Sequence, residues 1–578
     1  MSRMAVEGFA GANRVFISCV SDEFEKPSAP YPGFRSALRD YLAQADCEVK
    51  VQEQFRQEGS LDTVEKLAGY IKTCQAVIHL LGEKSGSIAD PQAVADFLEN
   101  EKDFLAKYPE LRTEFGDCSD LTYTQWEAFL ALHYGVDLFV YVTKEGKDAQ
   151  KTHLDRLKLA RKYADEIKSD TDLLGKLIGD LRKIIPSIPE LVQEIDTSRL
   201  LRQGHTAEYF LGREDELAFL DSVWQRRINV VSLIAWGGVG KTSLLCEWLQ
   251  RRFIDQDWKD ESGEPSVWRF FDWSFYDQGT GGLEEREVRT GSVGDFFEQA
   301  LTFFGDPQPN LPNKGKRLAE YIRRQHSLLL LDGLEPLQYP PGSIQAGQLL
   351  DGDLADLLLA LAQRNPGLCL LTSRQAVKEL DGLHGRASEQ KDLEELAKPV
   401  AVELLRKLQV TGSDEDLEHA CDQFGCHALS LTLLGRFLFD VHGGDVRRVD
   451  RIRDLERADQ LTREDRHRTV WKVLQAYEEW LASATSADQP KTLAVLRLMG
   501  LFDRRATPDC LSALRAEPAI PGLTEALVEM ADDEWAILLQ KLARARLLKL
   551  DIPEHQPEQI SIDAHPLIRE YFAQQLKK

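Results

Sequence analysis

Several features are missing from this 578-residue sequence, and their absence excludes whole classes of protein. No apolar run approaches the ~18 residues that a membrane-spanning helix needs, and the N-terminus has no signal-like apolar stretch. The nine cysteines are scattered singly, with no CxxC pair, so neither disulfides nor a zinc site is expected. We therefore expect a reduced, cytoplasmic protein without a membrane partner.

Positive charge is also in deficit, since 95 acidic residues against 71 basic ones give a net charge of −24. A phosphate backbone would be repelled except at a local basic patch, so a nucleic-acid partner is not expected. The length exceeds what one hydrophobic core supports, and three to five domains are expected. The composition otherwise is that of an ordinary globular protein.

The most informative stretch is residues 227–245, RINVVSLIAWGGVGKTSLL. Its β-branched first half predicts a buried strand, and residues 241–253 predict a helix with one apolar face. The glycine-rich turn between them consists of Gly237, Gly238, Val239 and Gly240. A strand, a glycine turn and a helix form the context that a phosphate-binding P-loop requires, because backbone N–H groups then converge on phosphate oxygens.

Three polar residues follow this turn. Lys241 is expected to neutralise the β- and γ-phosphates of ATP or ADP, and the Thr242 hydroxyl to ligate Mg²⁺, with Ser243 as a further nucleotide contact. Ala235 stands where the pattern GxxxxGK[ST] has its first glycine, which is tolerable if its φ is negative. A chance GKT in an ordinary strand-to-helix turn is the alternative.

Two acidic candidates follow the strand SLLLLDGLEPLQ at residues 327–338. Asp332 ends a run of four leucines and is predicted to bring a carboxylate to the Mg²⁺ site at the carboxyl edge of a doubly wound parallel sheet. Glu335, three residues on, is placed to orient or deprotonate an attacking water. The alternative for Asp332 is an ordinary turn residue at the end of a strand, and the alternative for Glu335 is an ordinary acidic residue on the surface.

A third apolar strand, residues 367–374, ends in Arg374, which is expected to touch a γ-phosphate unless it is simply solvated. Upstream, Gly212 and Arg213 introduce a helix about twenty residues before the P-loop. By itself that segment is a weak signal.

The order of GRE, P-loop, LLLLD and TSR resembles the STAND NTPases of the NB-ARC type, which include cell-death receptors and many bacterial defence proteins. The resemblance covers roughly residues 205–578. It implies that the segment around Gly212 and Arg213 packs on the adenine.

Two later segments extend this resemblance. FGCHALSLTLLGRFL, residues 424–438, is similar to a helix that the family opens with glycine-x-proline, and Ala428 takes the place of the proline. ISIDAHPLIREYF, residues 560–572, resembles the methionine-histidine-aspartate motif of the family's winged helix. His565 takes the histidine position, which implies contact with the β-phosphate of ADP, and Pro566 stands where the aspartate would be. A core histidine at a helix start is the alternative for His565.

The N-terminal third alternates strands and helices with short connections, which predicts a flavodoxin-like parallel sheet. Its opening VFIS, the polar loop after KVQEQF and the TQWE helix resemble a TIR or TIR-like domain over residues 12–145. That resemblance implies a catalytic Glu127 that stabilises the ribosyl cation as NAD⁺ is hydrolysed. The alternative is that Glu127 closes a capping box with Thr124.

The sequence thus predicts an α/β multidomain protein. Its expected parts are a TIR-like effector (12–145), a helical linker (146–204), a P-loop nucleotide-binding domain (205–385), a helical domain (386–475) and a winged-helix domain (476–578).

The resemblance implies an ADP/ATP-switched signalling protein with slow ATPase activity. On this hypothesis an unknown trigger releases a closed ADP form, the chain assembles into a homo-oligomer, and the TIR-like domain depletes NAD⁺ in antiphage defence. A nucleotide-regulated scaffold with a noncatalytic adaptor domain and a STAND-type transcription regulator are the alternatives.

Overall fold

The computed structural model describes residues 13–43, 47–50, 63–197, 209–275, 286–452 and 467–577, with short gaps inside these ranges. The chain divides into two compact units. The first contains the residues up to 194 together with 258–269 and 322–327, and the second contains the others. The polar loop after KVQEQF lies outside the described residues.

The first unit alternates strands and helices along its whole length. Its strands are β1 (Asn13–Ser18), β2 (Cys47–Lys50), β3 (Ala76–Leu81), β4 (Arg112–Thr113), β5 (Gly116–Asp117), β6 (Asp137–Thr143) and β7 (Ala164–Ile167). Its helices are α1 (Ser21–Phe24), α2 (Phe34–Ala43), α3 (Thr63–Ile71), α4 (Pro91–Asn100), α5 (Phe104–Lys107), α6 (Tyr123–Tyr134), α7 (Lys144–Ala149), α8 (Lys151–Leu159) and α9 (Asp170–Arg182).

Five of these strands form one sheet in the order β2-β1-β3-β6-β7, and every pair in it is parallel. The apolar strands β1 and β3 lie inside the sheet, where helices cover both faces, as their runs of valine, isoleucine and leucine predict. Strand β7 lies within the segment predicted to be a helical linker. That segment therefore contributes an edge strand to the first sheet.

A chain of buried polar side chains crosses the core of this unit. Ser18 Oγ lies 2.7 Å from Nδ1 of His79, and Nε2 of His79 lies 3.0 Å from Nε2 of His153. Both imidazoles are fully buried or nearly so. Two facing Nε2 atoms can share only one proton, so at least the accepting ring must be neutral.

Acidification is expected to destabilise the first unit because of these two histidines. Burial lowers the pKa of His79 to about 3, and it holds the pKa of His153 well below its usual range. Because an unfolded histidine has a pKa near 6.5, the unfolded state binds more protons between about pH 6.5 and 3, and stability rises with pH there. By pH 5, His79 alone is expected to remove about 2 kcal/mol of stability.

Urea unfolding of the full chain from pH 7 to pH 5, followed by hydrogen exchange in peptides from β1 and β3, measures this effect. His79→Asn should flatten the pH dependence in those peptides. His419→Asn, which changes an exposed histidine of the second unit, is the matched control and should not. Equal pH dependence in wild type and His79→Asn would contradict the prediction.

The second unit begins with an α/β part that carries the P-loop. Its strands are β8 (Glu194–Asp196), β9 (Val230–Ile234), β10 (Arg269–Ser274), β11 (Ser327–Asp332), β12 (Leu368–Ser373) and β13 (Ser388–Asp392). Its helices are α10 (Glu214–Gln225), α11 (Lys241–Leu249), α12 (Arg286–Phe303), α13 (Lys314–Arg323) and α14 (Gly352–Gln363).

These six strands form a sheet in the order β13-β9-β12-β11-β10-β8, and β13, β9, β12 and β11 run parallel. Strands β9, β11 and β12 are apolar and almost wholly buried. Their carboxyl ends meet at one edge, which is where ligands bind in open α/β sheets.

The rest of the second unit is mainly helical. It comprises α15 (Lys398–Lys407), α16 (Asp414–Gln423), α17 (Ala428–His442), α18 (His467–Ala482), α19 (Asp488–Met499), α20 (Pro508–Leu514), α21 (Asp532–Arg544), the antiparallel pair β14 (Lys549–Asp551) and β15 (Ser561–Asp563), and α22 (Pro566–Gln575). One continuous hydrophobic core extends from Leu396 to Phe572.

Two of the predicted domain borders do not coincide with the borders of the observed structure. The border at 385/386 precedes β13, which pairs with β9 and so belongs to the P-loop sheet. The border at 475/476 cuts α18, whose residues pack into the shared helical core. The border at 204/205 lies outside the described residues. None of the described helices is both long and apolar enough to cross a bilayer.

Candidate phosphate-binding site

The candidate site lies at the carboxyl edge of the second sheet. Strand β9 leads into the loop 235–240, β12 is its neighbour, and β11 lies one strand further on. Strand β11 ends at Asp332 and β12 at Ser373, immediately before Arg374. The sheet therefore brings together the three segments that the sequence singles out.

Five consecutive carbonyl groups of the loop, those of residues 235–239, accept hydrogen bonds from groups around it. Lys241 Nζ donates to the first two at 2.6 and 3.1 Å. The next three accept from His427 Nε2 at 2.9 Å, from the N–H of Leu429 at 3.1 Å and from Arg213 Nη2 at 3.2 Å. In a trans peptide the C=O and the following N–H point in opposite directions. The donors to the last three carbonyls come from other segments, so they turn the N–H groups of residues 238–240 the other way, as an anion-binding nest requires.

Glycine is required at two positions of this loop. Gly238 and Gly240 have φ values of +84° and +110°, in the region that only glycine adopts readily. A Cβ at Gly238 would lie 2.7 Å from Cε1 of His427. The loop could not pass so close to this imidazole with any larger residue.

Lys241 is a buried ammonium group at the start of α11. Burial lowers its pKa, and the nearby carboxylate of Glu335 opposes that effect. Its Nζ is held by two loop carbonyls, so the cation lies inside the curve of the loop. This is the position from which a lysine binds phosphate oxygens as a point charge.

Thr242 and Asp332 lie side by side, as the sequence predicts for a Mg²⁺ site. Thr242 Oγ1 is 3.0 and 3.2 Å from the two carboxylate oxygens of Asp332. Thr372 Oγ1 donates to the same carboxylate at 2.7 Å. Burial raises the pKa of Asp332, although these two hydroxyl donors favour its ionised form. A hydroxyl and a carboxylate are hard oxygen ligands of the kind that Mg²⁺ prefers.

Glu335 and Arg374 form an ion pair with each other. Arg374 Nε lies 2.9 Å from Oε1 of Glu335, and both side chains are largely buried. An ideal Cβ on Gly237 would be 3.4 Å from Nη2 of Arg374, so the guanidinium lies against the loop. Both residues therefore lie at the site, but each forms an ion pair with the other.

Arg213 holds the loop from the side. Besides Val239, its guanidinium donates to the carbonyl of Glu394 at 2.8 Å and pairs with Glu216 at 2.9 Å. Gly212, with φ of +64°, lies so close to Val400 of α15 that a Cβ would be 2.6 Å from its methyl groups. These contacts tie the segment before α10 to the loop and to the helical part.

His565 is the N-cap of α22, and its Nδ1 accepts from the N–H of Leu567 at 3.2 Å. Burial, and after it the positive charges of Lys549 and Arg374, hold its pKa well below the usual range. The imidazole is therefore neutral at pH 7, in the electrostatic neighbourhood of Arg374. This geometry also fits the alternative given for His565, a core histidine at the start of a helix.

His427 is the residue that sequence reasoning missed. The family comparison placed Ala428 at the proline position next to the nucleotide, but the residue that contacts the loop through its side chain is His427. Histidine is not a preferred N-cap residue, and the partner carbonyl is 190 residues away in the chain. The only available signal was its place immediately before the apolar run of α17.

Glu127 lies in the first unit, in the middle of the buried face of α6, and is 1 % exposed. The expected alternative, a capping box with Thr124, is wrong. The box is formed two residues earlier, by Thr122 and Gln125, whose side chain and backbone groups bond reciprocally. Glu127 is therefore not a helix-capping residue.

No protein-family model matches the chain, and no curated protein matches it. A STAND protein with a tetratricopeptide repeat sensor from Pyrococcus horikoshii is 16 % identical with a TM-score of 0.36, over 64 % of this chain and 43 % of that one. A Walker-type ATPase of Pyrococcus abyssi is also 16 % identical, with a TM-score of 0.29, over 64 % of this chain and 97 % of that one.

A third structure, a HORMA:CdnC:Trip13 complex of E. coli, is 15 % identical with a TM-score of 0.28, over 43 % of this chain and 91 % of the matched chain. The chain thus spans less than half the length of the Pyrococcus horikoshii protein. Since these similarities are low, the assignment of the site depends on its own geometry: a glycine loop with fixed carbonyls, a buried lysine, and a threonine beside an aspartate.

Proposed function

We propose that the chain is a P-loop NTPase of STAND type that binds ADP or ATP with Mg²⁺ and uses the nucleotide as a switch. The single observation that carries the proposal is the fixing of five consecutive loop carbonyls by Lys241, His427, Leu429 and Arg213. Such a loop is already in the conformation that binds an anion, so less free energy is lost in ordering it when the anion binds.

In this proposal each residue has one role. Phosphate oxygens replace the loop carbonyls as partners of Lys241, and the loop amides of 237–240 cradle them. Thr242 and Asp332 hold Mg²⁺, which supplies charge neutralisation for the phosphates when bound. Both side chains are already in hydrogen-bond contact, so they fit a metal that keeps most of its own waters.

The pairing of Glu335 with Arg374 supports slow rather than fast hydrolysis. For Glu335 to orient water, or for Arg374 to reach a γ-phosphate, their ion pair must open. Breaking a largely buried pair leaves an uncompensated charge and is costly. A nucleotide held firmly but cleaved rarely suits a switch better than a metabolic enzyme.

The two states of the switch would differ in how the helical part binds the loop. Gly212, Arg213, His427 and the region of His565 connect the α/β part to the helices within one unit. A ligand that favours one arrangement by ~3–5 kcal/mol would shift nearly the whole population. Release of the helical part would then permit assembly into a homo-oligomer.

The first unit is the proposed output domain, TIR-like in sequence, with defence signalling as its role. NAD⁺ hydrolysis by Glu127 remains a prediction and would require α6 to open, because that carboxylate is buried. A nucleotide-regulated scaffold needs no such opening. A transcription regulator is disfavoured by the net charge of −24.

The proposal is tested by extracting and identifying the nucleotide that co-purifies with the full chain, and by titrating ADP and ATP with and without Mg²⁺. We expect bound adenine nucleotide and a Mg²⁺-dependent affinity that Asp332→Asn removes. A chain that neither carries nor binds adenine nucleotides would overturn the switch. Nicotinamide release from NAD⁺ by the ATP-loaded protein, absent from Glu127→Gln, would separate an NADase output from a scaffold.

A further inference from the structure

The N-terminal end of α17 contacts the phosphate loop through two hydrogen bonds. His427 Nε2 donates to the carbonyl of Gly237 at 2.9 Å, and the N–H of Leu429 donates to the carbonyl of Gly238 at 3.1 Å. His427 is buried, so this contact is shielded from water. Two successive peptide planes of the loop are therefore oriented by one turn of a helix from another part of the chain.

The hydrogen bonds around His427 determine which of its nitrogens carries the proton. Its Nδ1 accepts from the backbone N–H of Ser430 at 3.2 Å. In a neutral imidazole the other nitrogen is then the donor, which matches the Nε2 contact with a carbonyl. The neutral tautomer thus satisfies both ends of the ring.

The same ring is the middle of a longer chain of hydrogen bonds. Ser430 Oγ lies 2.9 Å from Nδ1 of His427 and 2.8 Å from Oγ1 of Thr469. Because Nδ1 only accepts, the Ser430 hydroxyl donates to it and accepts from Thr469. A directional path therefore runs from α18 through α17 to the loop, and its members polarise one another.

Helix α18 is a central element of the C-terminal helices. Its buried residues Val470, Val473 and Leu474 belong to the core that also contains α19 and α22. A shift of α18 would therefore also move α19 and α22, which pack in the same core. The hydrogen bonds of His427, Ser430 and Thr469 connect the loop to this core.

We propose that His427 is a positioning residue that couples occupancy of the phosphate loop to helix α18 through Ser430 and Thr469. By holding the carbonyl of Gly237, it directs the N–H of Gly238 toward the bound phosphate, and displacement of that peptide loosens α17 and α18. The coupling to nucleotide rests on the proposed function, whereas the effect of His427 on the loop itself does not.

Hydrogen exchange of the full chain, with and without ADP, tests both parts. In His427→Ala, without nucleotide, the amides in peptides spanning 235–243 should exchange several-fold faster than in wild type. ADP affinity should fall about 3- to 10-fold, the range for one lost hydrogen bond. His427→Gln keeps an N–H donor and should recover much of that affinity.

Two controls separate positioning from general loss of stability. His419→Ala removes an exposed histidine on α16 and should change neither readout. Leu431→Ala leaves a cavity in the buried side of α17 without touching the loop, so it should lower the unfolding midpoint while leaving the loop amides protected. Loop exchange as fast in Leu431→Ala as in His427→Ala would overturn the proposal.

Thr469→Val tests the path to α18. We expect ADP to bind within about 2-fold of its wild-type affinity, since the part-buried hydroxyl that is lost bonds Ser430 and not the loop carbonyls. ADP should no longer protect peptides from 467–482 as it does in wild type. Undiminished protection would contradict the coupling. If wild-type protein binds no ADP, the switch and this coupling both fail, whereas unchanged loop exchange in His427→Ala refutes the positioning role alone.

Discussion

Lys241→Ala is expected to weaken the binding of ADP and ATP about 100-fold, the largest effect of any single side chain on the site. The ammonium group is buried at the centre of the loop and donates to two of its carbonyls. With nucleotide bound, those donors would go to phosphate oxygens, and hydrogen bonds to a charged group are each worth about 1.5–3 kcal/mol. Two such bonds at the lower end of that range, about 3 kcal/mol together, account for the expected loss.

Calorimetric titration of the purified full chain with each nucleotide in the presence of Mg²⁺ measures this affinity. Lys316→Ala, which removes an exposed lysine of α13 in the same unit, is the matched control and should bind like wild type. The unfolding midpoint without nucleotide should be recorded for both variants. Wild-type affinity in a folded Lys241→Ala variant would disprove nucleotide binding at this loop.

The predicted site residues that the structure brings together are mainly those whose sequence signal is local. Lys241 and Thr242 follow a glycine turn between a strand and a helix, and Asp332 follows four leucines. Parallel strands end at the same edge, so three separate strand ends meet without any further information. Glu335 and Arg374 were also placed near this edge, but their ion pair with each other has no sequence signature.

The features that the sequence missed depend on contacts between distant segments or on weak local patterns. Strand β7, ADEI, is a short and largely exposed edge strand without apolar alternation, so nothing in it predicts pairing with β6. In TYTQWE, both Thr122 with Gln125 and Thr124 with Glu127 match the capping-box pattern. The observed start of α6 at Tyr123 decides between them, because it makes Thr122 the N-cap residue. Local sequence patterns therefore predict most helices and strands, but not which strands pair or which side chains bond each other.

The fixing of the loop carbonyls is the clearest case of information absent from any single segment. Its donors come from α11, from the segment before α10 and from the start of α17. Each donor is a common residue type in an unremarkable local pattern. The loop is preorganised only when all three segments have folded around it, so nucleotide affinity should report on the folding of the whole second unit.

Gly238→Ala is expected to separate the loop from α17 and to lower nucleotide affinity at least as much as the loss of His427. The new Cβ would lie 2.7 Å from Cε1 of His427 and 2.9 Å from Cβ of Leu429, distances that real Cβ atoms do not show. The backbone at this position also has φ of +84°, which costs an alanine about 1–3 kcal/mol. The clash pushes the helix away from the loop, and the backbone strain distorts the loop itself.

Gly305→Ala is the control that isolates the clash from the backbone strain. Its φ of +89° is nearly the same, but no atom lies within 4 Å of the added Cβ. It should lower the unfolding midpoint modestly and leave ADP binding unchanged. Gly238→Ala should instead lose ADP affinity more than 10-fold, with faster hydrogen exchange in residues 427–434 as the sign that α17 has moved.

The double variant Gly238→Ala, His427→Ala decides between these causes. Removing the imidazole eliminates the closest contact, so the two substitutions should cost less together than the sum of their separate effects. The contact with Leu429 remains, and relief should therefore be partial. Strict additivity would mean that the loop and the helix do not meet at this point. The proposed switch, which depends on the close approach of α17 to the loop, would then be wrong.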